Sequence, residues 1–296
     1  MKYAFIDRHR LVWPIRVQCR VLGVSATGYH QHRKRRERIK ERRHLTDEAL
    51  LVHIRSIQAE TRGAYGWPRV WRQLQRRGVR VGKRRVQRLM QEHGIQARGK
   101  RRFRVTTDSR HRLPIAENLL NRDFTPPAPN RSWSGDITYI ATDEGWLYLA
   151  VVIELFSRKV VGWSVQPHME RSLVMDALAM AWQQRRPVKG ELMFHSDRGS
   201  QYASEDFTKL LKEYGMTASM SRKGNCWDNA VSETLFGSLK VERLAGEHFH
   251  TVREAKDAVV SWLSWYNHSR MHSTLGYRSP SECEQSWEQQ QLRAAA

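Results

Sequence analysis

Strand-like and helix-like hydrophobic patterns alternate along the second half of the chain. Apolar, β-rich runs predict strands at 133–142, 146–154, 159–166, 191–196 and 216–220. Helical patterns predict helices at 170–186, 204–214, 226–244 and 251–266. Three strands followed by helices that alternate with strands predict an α/β fold, a mixed sheet flanked by helices. The turn Asp143-Glu144-Gly145 is interpreted as an exposed hairpin tip without a functional role.

The first third of the chain carries helical patterns. Residues 14–36 predict a helix, a glycine turn and a second helix that Ser25 caps. Residues 46–60 predict a further helix, and two short basic helices lie on either side of Gly78. This order outlines an all-helical, helix-turn-helix-like region, although any small helical hairpin has the same outline.

A change of composition separates the two parts. Residues 96–112 are basic and aperiodic, and 121–130 contain three prolines, which mark a boundary. A length of 296 residues fits about two domains. We expect a basic helical region at 1–112, a proline-containing linker at 113–131 and a second domain with a helical tail at 132–296.

The positive charge is concentrated in the first third. The net charge is +21; residues 1–112 hold 31 Lys and Arg against 8 Asp and Glu, and residues 113–296 hold 20 against 22. A basic block of this size favours nucleic acid over a membrane, because no basic amphipathic anchor stands out. A solvated basic surface is the alternative interpretation.

Composition also bears on the compartment. The longest apolar run, W-L-Y-L-A-V-V-I-E-L-F, is too short for a membrane helix, and the N-terminus has no apolar signal-peptide core. The three cysteines are far apart, odd in number and without metal-ligand spacing, so we expect no disulfide framework. A reducing cytoplasm fits this pattern.

The candidate chemistry centres on the stretch 221–240, S-R-K-G-N-C-W-D-N-A-V-S-E-T-L-F-G-S-L-K. On a helix, Glu233 and Lys240 nearly align, away from the apolar stripe. Asp136 lies in one predicted strand and Asp197 follows another, with 60 residues between them and 35 between Asp197 and Glu233. Three carboxylates suit Mg²⁺, and two such ions could stabilise the attacking and leaving oxygens of an in-line displacement at phosphorus.

These acids and the words around them resemble a known family. W-S-G-D-I-T-Y, H-S-D-R-G-S-Q-Y and Y-N-H-S-R-M-H-S-T-L-G-Y-R-S-P are similar to words of the second-reading-frame transposases of the insertion-sequence-three family. The resemblance covers nearly the whole chain and departs at Glu154, where aspartate would be expected. It implies a ribonuclease-H-like, retroviral-integrase-like core with Asp136, Asp197 and Glu233 as catalytic and metal-binding residues, and two Mg²⁺ ions, with Mn²⁺ as a substitute.

Basic residues are candidates for contacts with DNA. Arg222 and Lys223 lie in a glycine-containing loop that suits a mobile clamp, and Lys240 suits a phosphate contact, with ordinary surface charge as the alternative. The helix after Gly78 is interpreted as a recognition helix, with a structural basic helix as the alternative. Its candidate residues are Lys83, Arg84, Arg85 and Arg88.

Four other polar residues each keep two interpretations. His195 could act on metal or substrate, or it could be a hydrogen-bonded structural residue. Asn229 could orient the catalytic glutamate from one turn earlier, or it could cap the helix. Arg270 and His272 could contact DNA or brace the last helix.

The sequence therefore predicts a DNA transposase subunit that catalyses metal-dependent strand cleavage and strand transfer. A nuclease on the same fold and a catalytically idle DNA-binding regulator are the alternatives. The resemblance implies a homo-multimer on element ends and target DNA, in the bacterial cytoplasm near the nucleoid. Because no stretch sustains apolar heptads, we also expect a partner or fusion from an upstream reading frame, which in that family carries a leucine zipper.

Overall fold

The computed structural model describes residues 2–41, 45–99, 113–222 and 226–295. The N-terminal helices are α1 (Lys2–Arg8), α2 (Ile15–Val21), α3 (Ala26–Glu41), α4 (Asp47–Glu60), α5 (Trp67–Arg76) and α6 (Lys83–Glu92). The second part contains β1 (Ser132–Thr142), β2 (Gly145–Glu154), β3 (Val160–Gln166), α7 (Arg171–Arg185), β4 (Met193–Ser196), α8 (Glu205–Glu213), β5 (Thr217–Met220), α9 (Ala230–Leu239), α10 (Val252–His268) and α11 (Pro280–Ala295). Within the described ranges, none of the helices has the length and apolar character needed to cross a membrane.

One mixed sheet organises the second part, with its strands in the order β3-β2-β1-β4-β5. Strand β2 is antiparallel to β1 and β3, whereas β1, β4 and β5 run parallel. The five predicted strands are confirmed, with every boundary within two residues of its expected place. Helix α8 provides the crossover that the parallel pairing of β4 and β5 requires.

Helices cover both faces of the sheet, because alternate side chains of each strand point to opposite faces. Trp133 and Phe194 belong to a core that β1, β2 and β4 share with α7 and α8. Leu149 and Val151 belong to a second core, shared with α9 and α10. The sheet therefore separates two apolar layers. A buried polar side chain on β1 must form its hydrogen bonds within one of these layers.

Helix α7 lies directly against β3 because Gly162 has no side chain. A Cβ atom at this position would meet the backbone carbonyl oxygen of Ala177 and would lie 2.8 Å from the backbone nitrogen of Ala181. Gly237 on α9 is the opposite case, since a Cβ there would meet no heavy atom within 4 Å.

The first three helices form a small cluster of their own. Its buried residues are Ile6, Cys19 and Tyr29. Gly23 has φ +61°, and the Ser25 hydroxyl accepts a hydrogen bond from the Gly28 backbone N–H at 3.3 Å. The predicted glycine turn and serine cap are therefore both present.

Helices α4, α5 and α6 form a three-helix domain whose core extends into the C-terminal part of the chain. Thr46 caps α4 by accepting a hydrogen bond from the Ala49 backbone N–H at 3.2 Å. Met271, which follows α10, is fully buried in the same core. The Tyr65 hydroxyl accepts a hydrogen bond from the Met271 backbone N–H at 2.9 Å. This contact holds the three-helix domain against the second part.

A buried ion pair reinforces the contact between the two parts. Arg270 and Glu242 are both buried and are joined by hydrogen bonds of 2.8 and 2.6 Å, and Arg69 of α5 lies 3.9 Å from the same carboxylate. Burial lowers the pKa of His272 to about 3, and the positive charges of Arg270, Arg69 and Arg158 act in the same direction. These contacts favour bracing, rather than DNA contact, for Arg270 and His272.

The helix predicted at 226–244 consists of three segments. A 3₁₀ turn at Cys226–Asn229 precedes α9, and a π-helical turn at Lys240–Leu244 follows it. The 3₁₀ turn contains Asp228, a buried residue with several hydrogen-bond donors around it, and the π turn contains Glu242 of the buried ion pair. Contacts with distant residues at both ends thus interrupt the regular α-helix. Short π-helical turns of this kind occur frequently at functional sites.

The proline-containing segment 113–131 lies along the sheet. The Ser219 hydroxyl accepts hydrogen bonds from the backbone N–H groups of Leu119 and Leu120 at 3.0 and 3.2 Å. The Met220 backbone N–H donates to the Glu117 carbonyl oxygen at 3.3 Å. This part of the expected linker is therefore an extension of the edge at β5 and not an open tether.

Glu154 ends β2 and holds the start of β1. Its carboxylate accepts hydrogen bonds from the Asn130 backbone N–H at 2.7 Å, the Trp133 indole N–H at 3.0 Å and the Phe156 backbone N–H at 3.0 Å. Burial raises the pKa of Glu154, although these donors and Arg185 act to lower it. Glu154, the residue that departs from the family pattern, therefore has a structural role: it fixes the segment that leads into β1.

Two Gly→Ala substitutions should shift stability in opposite directions. Gly162→Ala should lower the free energy of unfolding by about 1–3 kcal/mol, because the added methyl group overpacks the contact between β3 and α7. Gly237→Ala should raise it by about 0.4–1 kcal/mol, because alanine reduces the entropy of the unfolded chain without a clash. Urea denaturation of both variants measures the difference, and equal shifts would contradict the packing account.

Candidate active site

Asp136 lies in the first half of β1, on the face of the sheet that α9, the helix with Glu233, covers. Strand alternation places Ser134, Asp136 and Ile140 on one face, and Ile140 belongs to the core shared with α9 and α10. The carboxylate of Asp136 is partly buried and accepts a hydrogen bond from the Ile137 backbone N–H at 2.8 Å.

Asp197 comes directly after β4, next to Asp136. In the parallel pairing of β1 with β4, Gly135 is opposite Ser196, so each aspartate is one residue beyond a paired position. Neighbouring strands lie about 4.8 Å apart. The Gly199 backbone N–H donates to Asp197 Oδ1 at 2.9 Å and fixes the carboxylate at the end of the strand.

Helix α9 brings Glu233 to the same edge of the sheet. The Ser134 hydroxyl of β1 forms hydrogen bonds of 3.0 Å with Ser232 Oγ and with Asn229 Oδ1. These buried contacts attach the first turn of α9 to β1 at Ser134, which is two residues before Asp136. Glu233 is the next residue after Ser232 and remains exposed, so its carboxylate is available at the surface beside the two aspartates.

The electrostatics of the three acids suit a cation. Burial raises the pKa of Asp136 well above its usual value, and the charges of Asp197 and Glu233 raise it further, while the Ile137 N–H and Lys240 act in the opposite direction. Burial also raises the pKa of Glu233. A bound divalent cation would replace the proton and relieve the repulsion between the carboxylates.

The donor set fits Mg²⁺ or Mn²⁺, because both ions prefer carboxylate oxygen and water as ligands. Phosphate oxygens and water usually complete the coordination of Mg²⁺.

Lys240 lies at the end of α9, close to the acids. Its ammonium nitrogen is 5.4 Å from the centre of the Tyr139 ring. Burial lowers the pKa of Lys240, and the charge of Asp136 acts to raise it. The lysine is therefore partly withdrawn from solvent at the site edge, a position suited to a phosphate oxygen.

His195 is fully buried and has two hydroxyl partners. Its ring nitrogens lie 2.9 Å from Ser219 Oγ and 3.2 Å from Ser221 Oγ. Burial lowers the pKa of His195 to about 4, so the ring is neutral at pH 7, although the charge of Asp228 acts to raise it. This geometry favours the structural interpretation, in which the imidazole joins the end of β4 to the end of β5.

Asn229 connects α9 to the sheet. Its side chain makes no capping hydrogen bond, and its amide oxygen instead accepts from Ser134. The effect on Glu233 is therefore indirect, through the position of the helix.

Asp228 is a site residue that sequence reasoning missed. Its buried carboxylate accepts hydrogen bonds from Asn118 Nδ2 at 2.8 Å, Arg122 Nε at 3.0 Å, and Arg222 N and Nε at 2.9 and 3.2 Å. Burial raises the pKa of Asp228, but these donors outweigh it and the pKa is lowered overall. The signal was available, since Asp228 is the first acid that follows the basic pair Arg222 and Lys223.

Arg222, interpreted from sequence as part of a mobile clamp, is held by Asp228 and by a hydrogen bond of 2.9 Å to Asn121 Oδ1. About half of its side chain is exposed, so it can still face DNA from a fixed position. Lys223 lies outside the described residues.

The four basic candidates on α6 differ in their surroundings. Arg85 and Arg88 both form ion pairs with Asp47, and Arg88 also pairs with Glu92. Lys83 is exposed and its ammonium lies 4.7 Å from the centre of the Trp71 ring. Arg84 is exposed as well. The positive charge of α6 is therefore least compensated at its first two residues, Lys83 and Arg84.

Comparison with known proteins agrees with this architecture. An integrase core domain model matches residues 126–226, a second integrase core domain model matches 214–280, and an HTH-like domain model matches 45–103. Transposase InsF for insertion sequence IS3A of Escherichia coli (strain K12) is 42% identical over 290 residues, which cover 96% of this chain and 98% of that protein. The chain belongs to the IS3 family of transposases.

A second relative is the insertion element IS600 uncharacterized 31 kDa protein of Shigella sonnei, which is 40% identical over 92% of this chain and 98% of its own length. Among solved structures, the catalytic core domain of BIV integrase is 23% identical and matches 55% of this chain and 99% of that chain, with a TM-score of 0.41. The HTLV-2 integrase catalytic core domain in complex with magnesium is 16% identical, with coverages of 53% and 98% and a TM-score of 0.40.

As a member of the IS3 family, the chain is a DNA transposase, an enzyme of the polynucleotidyl-transferase type. The expected α/β, ribonuclease-H-like integrase core is confirmed, and so is a helix-turn-helix-like region preceding it.

The buried, neutral His195 predicts a pH-dependent contribution to stability. Its folded-state pKa of about 4 lies below the usual 6.5, so the unfolded chain binds more protons between these values. The contribution is full above pH 6.5 and is lost as pH falls towards 4, by up to about 3 kcal/mol.

His195→Gln, which does not titrate but can hydrogen-bond the two serines, is the comparison. Denaturation between pH 7 and pH 4.5 should show a shallower loss of stability for the variant than for the unaltered chain. His272 titrates in both proteins and cancels in the difference. Parallel pH profiles would show that His195 is not held neutral.

Proposed function

We propose that Asp136, Asp197 and Glu233 hold divalent metal for DNA strand cleavage and strand transfer by this transposase. The observation that supports the proposal is the register of β1 and β4, which sets two aspartates side by side beneath the helix that carries Glu233. The raised pKa of Asp136, caused first by burial and then by the other two acids, fits a place for a cation.

The chain's own residues would hold and orient the reacting groups. The three carboxylates, each on a different element, would hold two Mg²⁺ ions, with Mn²⁺ as a substitute. When bound, the ions would activate water for cleavage or a DNA 3′-hydroxyl for strand transfer, and would stabilise the leaving oxygen. Lys240 would contact a phosphate next to the reacting one. No covalent intermediate between protein and DNA is required.

DNA would extend from the triad to the three-helix domain. The first turn of α6, with Lys83 and Arg84, would approach the duplex most directly, while Arg85 and Arg88 would contribute after a partial exchange of partners with Asp47. Arg222 would contact the DNA strand near the site from the position that Asp228 gives it, and Lys223, the next residue in the sequence, would add a second positive charge.

Assembly and location complete the proposal. Transposition joins two element ends to one target, so we infer a homo-multimer on DNA, and a bacterial cytoplasmic location near the nucleoid. The family resemblance further supports an upstream-frame partner or fusion that supplies a leucine zipper.

The DNA upstream of the start codon should then contain an overlapping frame in another phase, and a region without such a frame would exclude this partner.

Conservative substitutions test the triad. Asp136→Asn, Asp197→Asn and Glu233→Gln should each lower the rate of oligonucleotide joining by more than ~100-fold, because loss of one electrostatic stabiliser has at least that effect. Duplex binding should be retained, because the substitutions keep the shape of each side chain.

Asp206, which is half-buried and paired with Arg171, and the exposed Glu213 provide matched controls. Asp206→Asn and Glu213→Gln should join element ends at the unaltered rate. Product analysis distinguishes the alternatives: cut but unjoined ends would indicate a nuclease, and a shifted complex without products would indicate a DNA-binding regulator. Near-normal joining by any triad variant would refute the assignment.

Salt dependence tests the DNA-binding surface on α6. Lys83→Ala and Arg84→Ala should each reduce the slope of log affinity against log salt by about 0.9, the value for one lost phosphate contact. Arg88→Ala should have a smaller effect, because two acids already compensate its charge.

The control is Lys209→Ala, which removes an exposed lysine on α8. Binding of a duplex element end, measured by fluorescence anisotropy at several salt concentrations, gives each slope. A ranking in which Lys209→Ala matches Arg84→Ala would show that α6 is not the DNA-binding surface.

A further inference from the structure

Two histidines and one aspartate meet at the end of the sheet away from the catalytic triad. Asp143 lies at the hairpin tip between β1 and β2, and His248 and His250 lie in the segment between the π turn and α10. Asp143 Oδ1 is 3.0 Å from His248 Nε2, and Asp143 Oδ2 is 2.9 Å from His250 Nδ1. Three ligand atoms, one from each residue, all lie within 4.8 Å of one another.

The backbone holds these side chains in place from both sides. Phe249, between the two histidines, is buried in the core shared with α9 and α10, and its carbonyl oxygen accepts a hydrogen bond of 3.0 Å from the Asp143 backbone N–H. Phe249 is buried, whereas the two neighbouring histidines are exposed. The Val252 backbone N–H donates to Glu144 Oε2 at 2.7 Å. The hairpin tip and the histidine segment are therefore already joined.

The donor set is that of a transition-metal site. Two imidazole nitrogens and one carboxylate oxygen are preferred ligands of Zn²⁺, whereas Mg²⁺ prefers oxygen alone. In tetrahedral coordination with bonds of 2.0–2.1 Å, ligand atoms lie about 3.4 Å apart, slightly farther than the present 2.9–3.0 Å. A small outward movement of the exposed rings would admit the ion.

We propose that Asp143, His248 and His250 bind one Zn²⁺ ion, with water as the fourth ligand. Each histidine side chain is about 70% exposed, so water can reach both the open coordination position and the remaining ring nitrogens. The site is separate from the triad: Asp143 is seven residues beyond Asp136, about 23 Å along an extended strand. The ion would have a structural function, fixing the β1–β2 hairpin to the segment that follows the glutamate helix.

Calorimetric titration of the full chain with Zn²⁺ alone, in the presence of excess Mg²⁺, tests the proposal. The variants are His248→Gln, His250→Gln and Asp143→Asn, each of which keeps a polar group at an exposed position. His168→Gln, at an exposed histidine of the same domain, is the matched control. Asp136→Asn separates this site from the catalytic carboxylates. Absorption of Co²⁺, used in place of Zn²⁺, reports coordination by nitrogen.

The unaltered chain, His168→Gln and Asp136→Asn should share one Zn²⁺ binding event, and each of the three ligand variants should bind at least ~10-fold more weakly. Zn²⁺ should also raise the melting temperature of the unaltered chain and not that of the ligand variants. Absence of binding by the unaltered chain, equal binding by the ligand variants, or loss of binding in Asp136→Asn would each overturn the proposal.

Discussion

The parallel pairing of β1 with β4 is the contact on which the rest of the active site depends. It places Gly135 opposite Ser196 and thereby sets Asp136 beside Asp197. The close fit requires glycine, because a Cβ atom at position 135 would lie 2.5 Å from the ring of Phe194. A side chain here would displace the core rings of Phe194 and Tyr202 beneath α8. Apolar packing thus holds two carboxyl groups together: burial raises the pKa of Asp136, and the neighbouring charge of Asp197 raises it further.

The glutamate helix connects this pair to the DNA-binding part of the chain. Its first turn is attached to β1 through Ser134, and the π turn at its end contains Glu242. Glu242 pairs with the buried Arg270 and lies near Arg69 of the three-helix domain. Removing one partner of a buried ion pair costs about 3–5 kcal/mol, so the three-helix domain and the active site have a shared, stiff support.

The sequence predicts the strands well, because strand periodicity is a local signal. The words around each of the three acids are local signals too, and the assignment of these acids as the catalytic site stays a prediction. It predicts less well where long-range contacts decide. Asp228 was overlooked because two of its donors come from residues 118 and 122, more than a hundred positions away. The helix predicted at 226–244 is divided for the same reason, because Asp228 and Glu242 near its two ends are bound by residues distant in sequence. The sequence leaves two interpretations for His195 and for Arg270. The reason is that the identity of a histidine or an arginine does not show whether its side chain is buried in the core or exposed at the surface.

Fe²⁺ cleavage mapping tests most directly whether the three carboxylates form one divalent-metal site. Fe²⁺ that occupies a Mg²⁺ site generates hydroxyl radicals with peroxide and ascorbate, and these cut the nearby polypeptide. The account predicts backbone cuts around Asp136, Asp197 and Glu233 together, all suppressed by excess Mg²⁺ and lost in Asp136→Asn. Cuts confined to one of the three segments, or cuts that Mg²⁺ does not suppress, would contradict a shared site.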